Sequence, residues 1–102
     1  MNLIYRATAV EDVDHAFEYI HDVLKNPNAA ESLRRRIAQA AALLKENPYM
    51  GTPLDSKAEG LETSLRFVIV SKHLIFYEVR EDRIEILRVL DGRTDYLSHL
   101  LE

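Results

Sequence analysis

Arg66, His73, Arg88, Arg93 and Tyr96 are side chains of this sequence that could bind an anion or move a proton, and all of them fall in its last third. Guanidinium groups offset negative charge, a histidine titrates near neutrality and can act as a general base, and a phenol can donate a hydrogen bond to a ligand. Strand pairing can gather such residues from distant positions, so Arg66, Lys72, Arg88 and Arg93 form the basic set of most interest. His73 opens an apolar run beside Lys72 and can approach the ends of both flanking runs, either as a base or as a strand-edge residue satisfied by backbone. Tyr96 follows the basic turn Arg93-Thr94-Asp95 and either contacts a ligand or packs. Asp91, Arg93 and Asp95 can instead satisfy one another as a charged turn.

The elements that position these residues follow from periodicity. Leu65–Val70, His73–Val79 and Arg83–Leu90 are strand-like runs separated only by Ser71-Lys72 and Arg80-Glu81-Asp82. Connections that short join antiparallel neighbours, so a meander is expected. Simple alternation puts Arg88 on one face with Ile84, Ile86 and Leu90, where an unpaired guanidinium is costly. Arg88 should therefore have an acidic partner, reach the rim, or face a ligand. The central run is apolar on both faces, Ile75, Tyr77 and Val79 on one and Leu74 and Phe76 on the other. Both faces need cover, one from this chain and the other in part from a partner.

Upstream, Asn2 to Thr8 reads as a first strand, and Thr8 with Glu11 as a capping box. Val10, Val13, Ala16, Phe17, Ile20, Val23 and Leu24 then recur at helical spacing. Lys25-Asn26-Pro27-Asn28 breaks that helix. Asn28 with Glu31 offers a second cap before Ala30, Leu33, Ile37, Ala41 and Leu44, and this second helix must end before Pro48. Tyr49 to Gly60 reads as a surface loop, either a binding element or a connector, and residues 94–101 as a short helix carrying Tyr96, Leu97, Leu100 and Leu101 inward. The expected fold is α+β, ordered β-α-α-β-β-β(-α), with a helical hairpin packed on one face of the meander.

Composition bounds the function. At 102 residues, 47% hydrophobic and 29% charged, the chain reads as one soluble domain spanning 1–102. No run spans a bilayer and the N-terminus lacks the pattern of a secretory signal, which points to a cytoplasmic home without membrane partners. The absence of cysteine removes disulfides and thiolate chemistry. A net charge of −4 argues against indiscriminate binding to nucleic acid. Arg34, Arg35 and Arg36 point in different directions on a helix and read as a solvated flank. No phosphate loop, serine elbow or zinc helix occurs, His15 and His21 are poorly spaced for one helix face, and His99 lacks a partner, so no metal or cofactor is expected.

Four stretches in order carry a resemblance: Asn26-Pro27-Asn28-Ala29-Ala30; Leu43 through Pro53; Leu65-Arg66 ahead of His73-Leu74-Ile75-Phe76-Tyr77; and Ile86 through Tyr96. Together with the element order, they resemble the RelE/ParE superfamily of toxins from bacterial type II toxin–antitoxin modules. That resemblance implies a cognate antitoxin partner, and a homodimer or a toxin–antitoxin hetero-oligomer as the assembly. RelE-like members cut messenger RNA on the ribosome, whereas ParE-like members poison DNA gyrase. Leu74 stands where RelE-type nucleases carry a strand arginine, so the pattern is closer to ParE, although His73 and Asp91 depart from it. The preferred expectation is a gyrase-directed growth inhibitor. The alternatives are a metal-independent endoribonuclease, with Arg66, Arg88 and Arg93 on phosphate and His73 or Tyr96 on the proton, and an inert protein-binding relative.

Overall fold

A computed structural model describes residues 1–57 and 60–100 of the chain. Strand β1 (Asn2–Tyr5) leads into helix α1 (Ala7–Glu18), which runs on as a π-helical turn over Tyr19–Val23. Helix α2 (Pro27–Glu46) returns alongside it, followed by a two-residue strand β2 (Thr52–Pro53) and a 3-10 turn at Leu54–Lys57. The meander comprises β3 (Arg66–Val70), β4 (His73–Val79) and β5 (Arg83–Asp91), and α3 (Tyr96–Leu100) closes the described chain. The α+β order is thus as expected, with one added strand; Leu101, placed in the last helix from its pattern, lies outside the described residues.

The sheet order is β1-β5-β4-β3-β2. The three meander strands pair antiparallel, as their short turns demand, and β2 pairs antiparallel to β3 through Thr52↔Phe67 and Pro53↔Arg66. β1 joins β5 in parallel, an arrangement that needs a long crossover. The segment between them, helices included, supplies it. The supposed loop after Tyr49 is therefore partly a sheet edge.

Both faces of β4 are covered from within the chain. On one, Ala9, Leu33, Ile37, Ala41 and Leu44 of the helical hairpin bury Val70, Ile75, Tyr77, Ile84, Ile86 and Val89. On the other, Leu54, Phe67, Leu74 and Phe76 form a second cluster sealed by Leu61, Leu65, Tyr96, Leu97 and Leu100. The expectation that a partner would cover part of this second face is corrected: the 3-10 turn, its following loop and α3 do so. Burying a leucine or phenylalanine is worth about 2 kcal/mol, so an intramolecular cover is favoured wherever the chain can reach.

A bulge corrects the face assignment in β5. Phe76 pairs with Arg88 but Tyr77 pairs with Ile86, so Leu87 has no opposite number. From there the alternation flips: Val89 joins Ile84 and Ile86 in the hairpin-facing core, and Leu90 joins the second cluster. Arg88 does not share a face with Ile84 and Ile86. Beyond the end of β1, the start of α1 runs along the open edge of β5, where the Thr8 hydroxyl donates to the Leu87 carbonyl at 3.0 Å. Asp12 takes the Val89 N–H at 2.9 Å and binds Arg88 through Nε at 2.8 Å and Nη2 at 3.0 Å. An edge left open by a short neighbour and a bulge is thereby satisfied.

Thr8 thus caps no helix; Arg6 precedes α1, and the capping box with Glu11 does not form. The α2 cap is Asn26, whose side chain accepts the Ala29 N–H at 3.1 Å with Pro27 in the first turn, rather than Asn28. Among the described residues no helix is long and apolar enough to cross a membrane.

Candidate functional site

The sequence-predicted residues do not converge on one concavity. Arg66 and His73 stand toward opposite ends of β4, since Arg66 pairs with Tyr77 while His73 pairs with Val70 and Asp91. Four residues of strand separate them, about 13 Å. Arg66 donates through Nη1 to the carbonyls of Tyr49 at 3.2 Å and Gly51 at 2.8 Å, and its guanidinium lies 5.1 Å from the Tyr49 ring. Arg88 is joined to Asp12 on α1. The Tyr96 ring packs against Phe76 in a tilted arrangement, centroids 5.4 Å apart and planes at 36°, on the face away from the hairpin. His73 and Arg93 alone among the five lie together.

They do so in a cleft of about 430 Å³ between the tip of the helical hairpin and the end of the meander. The hairpin side contributes Ala16, Tyr19, Ile20 and Leu24 from α1, the π-helical turn and the residue after it, and Ala29 and Leu33 from α2, with the polar Asn26 and Ser32 among them. The opposite wall is polar, made by Ser71, Lys72 and His73 of the β3–β4 turn and by Asp91 and Arg93, while Arg36 of α2 closes the rim. The Gly92 N–H donates to the Lys72 carbonyl at 2.8 Å, which fastens the Arg93 loop beside that turn.

Local backbone strain is concentrated around this cleft. Lys25 and Ser71, at φ of 55° and 57°, are the non-glycine residues of positive φ among those described. Ser71 lines the cleft, and Lys25 lies between its lining residues Leu24 and Asn26. Such conformations cost of order 1 kcal/mol each and persist where the surroundings demand them. The π-helical turn adds to the same picture: it widens the helix just where Tyr19, Val23 and Leu24 stay 54%, 63% and 55% exposed.

The charges in the cleft divide into a closed pair and two open groups. Asp91 is held by Arg93 through Nη2 at 2.6 Å, Nε at 3.0 Å and the backbone N–H at 2.9 Å, which keeps its carboxyl far below the usual carboxylate range. The charged turn read from the sequence therefore forms between Asp91 and Arg93, while Asp95 instead accepts from Ser98 at 2.7 Å. Arg36 and Lys72 make no ion pair or side-chain hydrogen bond within the described residues. His73 is half-buried, and its Nδ1 has no hydrogen-bond partner among the described residues. Burial lowers its pKa against the opposing pull of Asp91, and Arg93 lowers it further. An imidazole whose Nδ1 has no partner among the described residues, beside a carboxylate already engaged by Arg93, is a poor proton relay.

Arg36 and Tyr19 are the residues that sequence reasoning missed. The run Arg34-Arg35-Arg36 does diverge as expected, but with separate destinations: Arg34 lies 3.9 Å over the Phe17 ring and Arg36 reaches the cleft. A signal was available in the helical spacing, since Ser32, Leu33 and Arg36 follow Ala29 at three- and four-residue steps.

Comparison with known proteins places this architecture. The family model described as "ParE toxin of type II toxin-antitoxin system, parDE" matches residues 3–96. The solved structure titled "Chromosomal ParDE TA system from P. aeruginosa" contains a chain that superposes with a TM-score of 0.72 at 20% identity, covering 89% of this chain and 95% of that one. No curated protein matches in sequence.

Proposed function

Because this chain belongs to the ParE toxin family of type II toxin–antitoxin systems, we propose that it is a cytoplasmic growth inhibitor that acts on DNA gyrase by protein contact and is neutralised by a cognate antitoxin. The observation that carries the choice of contact over bond cleavage is the dispersal of the proton-transfer and phosphate-binding candidates. Arg66 is bonded to two backbone carbonyls, Arg88 to Asp12 and Arg93 to Asp91, each in a different place. Ribonucleolytic transesterification needs a base, an acid and a cation around one phosphate. His73 and Tyr96 belong to opposite sides of the sheet, and of the other three candidates Arg93 lies near His73, alongside Lys72 and Arg36 of the cleft lining and held by Asp91. Inhibition by contact needs instead a surface with an apolar anchor and charge, which the cleft and its rim supply.

Induced expression in a bacterial host tests the reading. Growth arrest with activation of the DNA-damage response and intact messenger RNA is the expected result, together with inhibition of supercoiling by purified gyrase. Rapid codon-linked cleavage of messenger RNA in a translating extract would replace it with the nuclease. Unimpaired growth, with native circular dichroism, would leave an inert relative.

A further inference from the structure

We propose that a groove between α1 and α2, beside the end of β1, is the contact face of a two-fold homodimer, with Asp14 of each copy paired to Arg34 of the other. This contact lies beyond the gyrase reading and does not depend on it.

The groove, about 270 Å³, is lined by Tyr5, by Val10 and Val13 of α1 and by Ile37 and Ala38 of α2, together with the two charged residues. A helix covered only by its own sheet turns polar side chains outward. Here Val10 stays 47% exposed, as does Ile4 of the adjoining β1 at 45%. Single exposed apolar residues are ordinary, but an apolar lining gathered into a concavity marks a contact site. Ala38 and, one turn on, Ala42 are exposed and small, so a second helix can come within the packing separation of about 8–10 Å. None of the groove residues lines the cleft at the hairpin tip, so the contact does not use that cleft.

Charge identifies the occupant. Asp14 on α1 and Arg34 on α2 make no ion pair among the described residues, with each other or with anything else; Arg34 is instead held 3.9 Å over the Phe17 ring. The groove thus carries one charge of each sign on a chain of net charge −4. A uniformly acidic or basic partner would answer one of these charges and repel the other. A second copy answers both, because in a two-fold contact the meeting of one residue with another is repeated in reverse. Laying α1 of one copy on α2 of the other brings Asp14 to Arg34 twice. The like net charge of the copies is screened beyond about 8 Å at physiological salt, whereas ion pairs in contact are not. The stacking of Arg34 on Phe17 fixes the guanidinium in advance and so lowers the ordering cost of association.

Sedimentation velocity of the full chain from about 2 to 200 µM in 0.15 M salt tests this. The parent should pass from monomer to dimer across that range. Asp14→Arg and Arg34→Glu should each self-associate at least tenfold more weakly, because each sets like charges against each other. Asp14→Arg makes the chain less negative, so its loss could not come from overall repulsion. An equimolar mixture of the two single variants should recover the dimer, since every contact between positions 14 and 34 then joins opposite charges, and so should the double variant Asp14→Arg/Arg34→Glu. The control Glu31→Lys/Lys45→Glu, on exposed α2 residues outside the groove and with net charge kept, should stay within twofold of the parent. Circular dichroism verifies the fold of each variant. A parent that remains monomeric at 200 µM overturns the proposal and leaves the groove to a different protein. Single variants or a control that break this pattern place the contact elsewhere on the surface, and overturn it too. So does a mixture of folded single variants that fails to associate.

Discussion

Toward its two ends, β4 uses similar side chains to opposite effect. At one, the Tyr77 hydroxyl accepts the Gly51 N–H at 2.9 Å and donates to the Pro48 carbonyl at 2.8 Å, while Arg66 takes the carbonyls of Tyr49 and Gly51. Each of these groups has its partner within the chain. At the other, His73 leaves a ring nitrogen without a partner, Arg36 and Lys72 are unpaired among the described residues, and the backbone is strained. The contrast is one of satisfaction: Arg66 at the Tyr77 end ties a loop to the sheet, whereas Arg36 and Lys72 at the His73 end have no ion pair among the described residues.

The sharpest way to break this contrast is at Gly51. A Cβ there would stand 2.5 Å from the Tyr77 hydroxyl, 2.7 Å from its ring and 2.9 Å from the Phe67 carbonyl. Gly51→Ala should cost about 3 kcal/mol or more, read as a lowered denaturation midpoint, because the loop must lift and abandon its hydrogen bonds. Tyr77→Phe should cost about 1.5 kcal/mol, since it strands a buried N–H and a carbonyl. Combined with Gly51→Ala it should cost less than the sum, because both changes act on one contact. Arg66→Ala should cost about 1 kcal/mol and leave growth arrest on induced expression unchanged. A loss of growth arrest without loss of stability would move Arg66 from scaffold to site.

The smallest effect is expected at the open end and depends on pH. The pKa of His73 is lowered in the fold, so the unfolded chain takes up this proton first as pH falls. Its contribution to stability is complete above the ordinary histidine pKa of about 6.5 and declines below it, toward the lower folded value. Asp91, held low by Arg93, loses its contribution only at more acid pH, around and below the ordinary carboxylate pKa of about 3.9. Between pH 7.5 and 5.5 the melting temperature of the parent should therefore fall further than that of His73→Gln. An identical fall in both would show that the imidazole is solvated in the fold.

Much of the fold was legible because its signals are local. Two-residue and three-residue turns at Ser71-Lys72 and Arg80–Asp82 force antiparallel pairing, and the three- and four-residue recurrence from Ala30 to Leu44 defines a helix whatever it packs on. The caps were less legible: Asn26 and Asn28 both precede a helical run, and only the position of Pro27 in the first turn separates them. The β5 bulge was not legible at all. Nothing in Ile86-Leu87-Arg88 marks the skipped residue, which is set by how Thr8 and Asp12 of α1 take the exposed edge. With the bulge missed, Arg88 fell on the wrong face and joined a cluster to which it does not belong.

Alternation, turn length and helical spacing therefore settled this chain's elements and its α+β class, since each depends on backbone geometry within a few residues. Which charges are spent and which are spare was decided only in three dimensions. Asp12 reaches Arg88 from 76 positions away, and Arg36 meets Lys72 across a cleft that no stretch of sequence contains. An ion pair depends on separation in space, and folding alone brings those distances about.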